Sequence, residues 1–356
     1  MHNAKTLTLA LTLLSPSIAQ EQDTVSLLPG PWGGIGASYQ VREDGIAVSY
    51  DRPDRFAPLG VLAVHPESEG SWTFTYRYER TDRDGMVEGD RNLSDQDVFD
   101  RGFSETPIRQ VTERHLFSAL YGYDERLSFL MDIPWYSHDM DVSVDGGGTF
   151  STRSIGLGDV QLTGLYSLIR EEDEFFHLDL GISLPTGSTD ENDQTPTSGG
   201  TTVKLPYPMQ LGSGTVDLHP GLTYFRLLES TSWGLQARYT YRIDENSDEY
   251  ALGDSTEVTA WLAREFQDDL SGSLRIAWVH DEPIDGADPA LDPGADPAAD
   301  PLAQGGDRLN FFLGLNYTRP GGHRFAGEIG GPIFQDLNGP QLETDVIYSI
   351  AWRFSF

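Results

Sequence analysis

Apolar and polar residues alternate one by one along most of this chain. Trp72, Phe74, Tyr76 and Tyr78 are interleaved with Thr73, Thr75, Arg77 and Glu79. Successive side chains on a strand point to opposite faces, so this stretch predicts a strand with one aromatic and one polar face. The pattern returns at Leu127, Phe129, Met131, Ile133 and Trp135, and at Phe176, Leu178, Leu180, Ile182 and Leu184. It recurs at Val216, Leu218, Leu222 and Tyr224, and at Trp233, Leu235, Ala237, Tyr239 and Tyr241. Later come Leu274, Ile276 and Trp278, then Leu309, Phe311, Leu313, Leu315 and Tyr317. The last run is Val346, Tyr348, Ile350, Trp352, Phe354 and Phe356.

A soluble sandwich with one wet face would alternate in a similar way. Two further features favour a membrane barrel. Many runs last roughly ten residues, close to the length of about 9–11 that a tilted membrane strand needs. Short connections at Gly122–Glu125, Arg170–Glu174, Glu229–Ser232, Gln267–Asp269 and Arg319–Gly322 also alternate with longer polar ones. The longer ones are Thr81–Arg109, Asp141–Ser154, Thr186–Met209, Asp244–Gly253, Asp281–Gly306 and Phe334–Gln341. Short periplasmic turns and longer extracellular loops give this layout. The pattern therefore predicts an all-β fold, a transmembrane antiparallel β-barrel of about 12 strands with both ends in the periplasm.

The first residues read as a targeting segment. Lys5 and the amino terminus are positive, Leu7 to Leu14 is an apolar run, and Ser17-Ile18-Ala19 matches a small-residue cleavage site. Residues 1–19 are thus expected to be a signal peptide, and the expected location is the cell outer membrane. Gly45 to Tyr50 suits a short strand, whereas Ala57-Pro58-Leu59-Gly60-Val61-Leu62 lacks clean alternation. Residues 20–69 read as a periplasmic lead-in or an inner plug, ahead of a barrel over 70–356.

Composition agrees with a barrel. Hydrophobic residues are only 38%, yet aromatics are 11%, and a barrel needs apolar residues at alternate positions only. With no cysteine there are no disulfides, thiolate metal sites, cysteine nucleophiles or lipid-modified cysteine. The net charge of −32 argues against nucleic acid as a partner. The partners expected instead are outer-membrane lipid and lipopolysaccharide, the outer-membrane assembly machinery and a small-molecule solute. No cofactor is expected.

If the apolar faces look outward, the polar faces line a lumen. Its expected lining includes Arg77, Glu79, Asp132, Asp159, His177, Asp179, Asp217, His219, Arg238, Arg242, Glu257, Arg275, Glu328 and Arg353. Charges of both signs in a confined space pair, because an unpaired charge away from water is costly. The lining is then a salt-bridge lattice, part of which could form a polar path for a small solute. His177 with Asp179, and His219 with Asp217, are spaced for a metal or proton-relay site, but such pairs are common by chance on polar faces and no metal is assigned. Some barrels of this size are hydrolases, yet the nearest Ser–His neighbour is Ser137-His138, which matches no lipase pattern, so no enzyme is expected. Aspartate-proline repeats at fours through Asp288, Asp292, Asp296 and Asp300. Proline is expected to hold this loop extended; its carboxylates could attract calcium or magnesium, with a solvated acidic loop the simpler reading.

The terminal Trp352, Phe354 and Phe356 resemble the signal by which outer-membrane proteins are recognised for assembly. The segment from Leu205 to Thr215 reads Leu-Pro-Tyr-Pro-Met-Gln-Leu-Gly-Ser-Gly-Thr, and Pro220-Gly221-Leu222-Thr223-Tyr224 follows. With Gly181 to Gly187, Gly-Ile-Ser-Leu-Pro-Thr-Gly, these residues resemble the MetA-pathway-of-phenol-degradation family of outer-membrane transporters. Ala57 to Val61 ahead of Trp72 to Tyr78 is similar to one branch of it. The resemblance implies a barrel that moves small, hydrophobic or aromatic, solutes across the outer membrane. Relatives in that branch carry clustered His and Met after the Ala-Pro-Leu-Gly segment; here it is followed by Ala63-Val64-His65-Pro66-Glu67. A structural or surface-interaction barrel with a closed lumen is the other class consistent with the residues.

Overall fold

Two-faced strands in lipid have to close on themselves, because an unpaired backbone N–H or C=O in hydrocarbon costs several kcal/mol. The computed structural model describes residues 52–62 and 66–356, and as backbone strands Thr24–Val25, Ala37–Arg42 and Gly45–Tyr50. The expected strand at Gly45–Tyr50 forms and pairs antiparallel with Ala37–Arg42. The signal peptide expected over residues 1–19 lies outside the described residues.

Among the described residues, eleven strand elements make the ring. They are β1 (Trp72–Gly89), β2 (Glu105–Gly122), β3 (Leu127–Val144), β4 (Val160–Arg170), β5 (Glu174–Leu184) and β6 (Asp217–Leu227). There follow β7 (Thr231–Arg242), β8 (Ser255–Gln267), β9 (Leu270–Asp281), β10 (Gly306–Arg319) and β11 (His323–Ser355). Each pairs antiparallel with its neighbour in sequence, and β11 also pairs antiparallel with β1. A ring of antiparallel pairs needs an even number of staves. The 33 residues of β11 resolve the parity by folding back on themselves. Its first arm pairs with β10 and its second with β1, while Gln335 Nε2 donates to Thr344 O at 3.2 Å and Thr344 N to Gln335 Oε1 at 3.0 Å. Counting β11 twice gives twelve staves. The seam closes where Trp72 N donates to Phe356 O and Phe356 N to Trp72 O, both at 2.9 Å.

The outer face is the apolar one. Phe74, Phe129, Trp135, Leu178, Leu180, Leu235, Ile276, Leu313, Ile350 and Trp352 are all exposed on it. Aromatic rings gather at the seam, with Phe74 and Phe354 centred 5.8 and 5.4 Å from Phe356. This is a girdle at the level of the short turns.

Three expected loops turn out to be paired strand. β1, β2 and β3 each run for 18 residues, and Thr149–Leu157 continues the stave of β4 beyond a break at Gly158 and Asp159. Asp141–Ser154 and Phe334–Gln341 are therefore mostly hairpin arms rather than loops, and Thr81–Arg109 shrinks to residues 90–104. Beyond the lipid the outer face of an arm meets water, so the outward apolar alternation stops while the backbone ladder goes on. The connections at 185–216, 243–254 and 282–305 remain long.

Two outcomes test this closure. Deleting Phe356 removes the last reciprocal pair of seam hydrogen bonds and one ring of the girdle, and should reduce insertion far more than Ser355→Ala, scored by heat-modifiable gel mobility of the membrane fraction. Ile276→Arg on the lipid face should cost about 2–4 kcal/mol if it lies near the midplane. Equal insertion of the truncated and full-length chains would show that the terminal Phe356 pair is not needed for assembly.

Candidate functional site in the barrel interior

The interior is crossed by the chain's own residues. Arg52 stands at the short-turn end, where its Nη1 donates to Leu228 O at 2.7 Å and its Nη2 holds the fully buried Asp54 at 2.7 Å. From there the segment rises along both walls. Ser232 on β7 donates to Asp54 O, Gln236 Nε2 to Leu62 O at 2.6 Å, and from the opposite side Arg77 Nη1 on β1 donates to Leu59 O at 3.0 Å. Ala57 and Val61 pack with Phe175, Phe225, Leu227 and Trp261, while Leu59 packs with Ala326 and Ala351. Gly60 lies so close to the wall that an added Cβ would meet Arg275 Nη2 at 2.0 Å and Glu328 Oε2 at 2.6 Å. At Glu67 the segment is back at the short-turn end, accepting from Thr73 Oγ1 at 2.6 Å and Arg353 Nη2 at 2.7 Å.

The polar residues expected on the inner face pair in separate groups. Arg275 forks onto Glu328 with two hydrogen bonds of 2.9 Å and lies 3.9 Å from Glu257. Arg242 pairs with Asp217, and Arg238 stands 4.0 Å from Asp179. Arg77 pairs with Glu79, which also holds Arg114 at 2.9 Å. Asp132 accepts from Ser118 Oγ. These pairs offset the cost of leaving bulk water. The two His–Asp pairs do not converge: His177 is level with Thr223 and Asp179 with Gly221, whereas His219 is level with Gly181 and Asp217 with Ser183. His219 instead bonds the Ser183 and Thr240 hydroxyls at 3.0 and 3.1 Å. Among the described residues, no group of three or more His, Asp or Glu is placed to hold a metal ion. Ser137 and His138 sit on opposite faces of β3, as adjacent strand residues must, and His138 meets Thr112 Oγ1 at 3.0 Å.

Asp159 corrects the sequence reading. Rather than neutralising an interior arginine, it fills the break between Thr149–Leu157 and β4. Its carboxylate accepts from Gly187 N at 2.9 Å, Ser213 N at 2.7 Å and Ser213 Oγ at 2.8 Å. A Cβ on Gly187 would sit 2.6 Å from Gly212 Cα, so the two glycine backbones cross in contact beneath this clasp. The clasp turns the 185–216 connection inward. Met209 and Leu205 pack on Met140 and Val142, and Gln110 Nε2 donates to Pro208 O at 2.9 Å.

The aspartate-proline loop is neither extended nor freely solvated. The carboxylates of Asp288, Asp292, Asp296 and Asp300 each accept the backbone N–H two residues on, at 2.8, 2.9, 2.8 and 3.0 Å. Proline presets φ for a turn, so Asp-Pro repeated at fours gives four capped turns in series. Their carboxylates are engaged with backbone N–H groups. Ala298, Ala299 and Ala303 are buried, and Lys204 ties its own connection to the other two long ones, at 2.5 Å from Asp288 and 2.9 Å from Asp248.

Sequence reasoning missed several interior residues. Arg83 and Arg114 lie on wall strands, Glu67 on the inner segment, and Phe175, Phe225 and Trp261 form an apolar island on the otherwise polar face. The island had a signal, since each of its members stands next to a lipid-facing residue and so breaks the alternation.

The comparisons agree with this architecture. Residues 81–317 match the family model described as "Putative MetA-pathway of phenol degradation", more than half of the chain. The chain belongs to this family. Arg77, Glu328 and Arg353 fall outside the matched span, while both inward-folded loops and Asp159 fall within it. Among curated proteins, none matches the sequence. The crystal structure of the COG4313 outer membrane channel from Pseudomonas putida F1 superposes with a TM-score of 0.58 at 12% identity, over 84% of this chain and 100% of that one. More distant are the toluene transporter TodX of P. putida (TM-score 0.41, 9% identity, 82% of this chain and 91% of that one) and the KdgM porin (0.38, 10%, 80% and 99%). The fold is that of an outer-membrane β-barrel.

The outer loops carry a pH dependence. Burial pushes the Asp296 carboxyl up to about 7 from its ordinary 3.8, against the opposing hydrogen bond from Ala298 N and with help from nearby Glu105. The packed loop therefore favours the protonated acid. That contribution is complete below about pH 4 and is lost as pH rises through about 7. Amide exchange over residues 288–303, corrected for the intrinsic rate, should be slower at pH 5 than at pH 8, and Asp296→Asn should abolish the difference. A pH-independent wild-type loop would contradict the assignment.

Proposed function

We propose that the protein is an outer-membrane channel for small solutes, hydrophobic or aromatic ones among them, whose path is narrowed by its own segment at 52–62. The carrying observation is how that segment is held. Its backbone rests on interior charges and amides, with Gly60 against the Arg275–Glu328 pair and Leu59 O on Arg77. A barrel built only as a rigid post needs wall side chains to fill it; here a separate piece of chain does so through a few polar contacts and two small apolar ones, and cavities remain on two sides of it. One is lined by Phe56, Glu67, His177 and Arg324, the other by Leu62, Thr75, Leu116 and Asp132. On this reading the charged wall, from Arg77 and Glu79 round to Arg238, Arg242, Arg275 and Arg353, sets the selectivity of the path. Trp352, Phe354 and Phe356 serve as the assembly signal, and lipopolysaccharide surrounds the long-loop end.

Conductance in planar bilayers tests the proposal. Gly60→Val should displace the segment and raise single-channel conductance severalfold with the barrel still heat-modifiable. Arg275→Gln or Arg238→Gln should alter ion selectivity without preventing insertion. A folded barrel that passes no current in wild type or Gly60→Val, and admits no small sugar or aromatic into liposomes, would favour the closed structural barrel instead.

A further inference from the structure

The chain has 56 acidic residues against 24 lysines and arginines, yet one interior cavity has no carboxylate among its described lining. It measures about 370 Å³ and lies between the upper wall and the two inward-folded loops, with Pro208 and Ala298 above it. That size is at the small end for small-molecule sites. Two arginines line it. Arg308 is neutralised by Asp281 at 2.9 Å. Arg83 is not: its Nη1 donates to Gln110 Oε1 at 3.3 Å and Thr112 Oγ1 at 3.2 Å, and among the described residues no carboxylate comes within 4.0 Å of it. A half-buried guanidinium held by neutral groups alone is an incomplete pair, and an incoming anion completes it.

The rest of the cavity favours a flat apolar body on that anion. Tyr136 and His138 stack with ring centroids 5.5 Å apart and planes 14° apart, and Thr112 fixes the imidazole. Met86, Met140 and Leu342 supply the apolar lining. Thioethers and a stacked aromatic pair both make good contacts with an aromatic ring. We infer that this cavity binds a small aromatic carboxylate, with the carboxylate on the Arg83 fork and the ring among Tyr136, His138 and Met140. The inference deepens the channel reading, since a solute entering beneath the outer loops meets this cavity before the inner segment.

Calorimetric titration of the detergent-purified full-length protein tests it, with benzoate, benzyl alcohol and inorganic phosphate as probes. Wild type should bind benzoate saturably, and more tightly than either comparison ligand. Arg83→Gln should weaken benzoate about tenfold or more and leave benzyl alcohol unchanged. Arg83→Lys should fall between, keeping the charge but losing the fork. Tyr136→Leu should also weaken benzoate, which keeps the test valid if one arginine variant fails to fold, as judged by heat-modifiable mobility. No saturable benzoate binding, equal affinity in wild type and Arg83→Gln, or phosphate bound as tightly as benzoate would each overturn the inference. The channel reading is judged separately: a barrel that conducts but does not bind benzoate loses only this site, and one that binds benzoate but passes nothing loses only the channel.

Discussion

In hydrocarbon no water is available to a backbone N–H or C=O, so each must find its partner in the chain itself. That requirement organises the rest of the molecule. It forces the sheet to close, and the first and last staves meet at Trp72 and Phe356 through reciprocal bonds of 2.9 Å. It forces an even number of antiparallel staves, which is why His323–Ser355 doubles back between β10 and β1. A closed sheet has two faces and only one touches lipid, so apolar side chains sort to the outside and polar ones are left within.

The interior then has to neutralise itself. Arg275 with Glu328, Arg242 with Asp217, and Glu79 with Arg77 and Arg114 do this on the wall. The space that remains is crossed by residues 52–62, which dock by two different kinds of contact. Ala57 and Val61 rest on the apolar island of Phe175, Phe225 and Trp261, and the backbone of Leu59 and Leu62 completes the hydrogen bonding of Arg77 and Gln236. Gly60 is required where the chain passes over an ion pair with no room for a side chain. Apolar contact holds one wall and polar contact the other, so the segment is seated without covalent ties.

At the long-loop end the aspartates that give the chain much of its charge shape the mouth rather than simply coat it. Asp159 gathers two glycine-containing turns, and the four Asp-Pro units cap four turns in series. Because these carboxylates are engaged with backbone N–H groups, the cavity beneath them keeps Arg83 free of any described carboxylate within 4.0 Å. A chain of net charge −32 thus encloses a locally cationic pocket.

The barrel itself was legible in the residues. Alternation of Trp72 to Tyr78, Phe176 to Leu184 and Leu309 to Tyr317 marks the lipid face, because a strand's side-chain period is two and lipid rejects polar groups at every second position. Tight turns such as Arg170–Glu174 were legible for the same reason, lying where alternation breaks between two runs. The upper hairpin arms were not, since a stave whose outer face stands in water keeps its backbone ladder but loses the apolar code on that face. Arg83 illustrates the loss: it lies on the same inward face as Arg77 and Glu79, beyond the last aromatic of its run. Which charges meet, that Asp159 clasps loops instead of an arginine, and that residues 52–62 lie inside were decided only by the tertiary structure. Those outcomes depend on distances across the barrel, between residues up to 286 positions apart such as Glu67 and Arg353, and a local pattern carries no information about them.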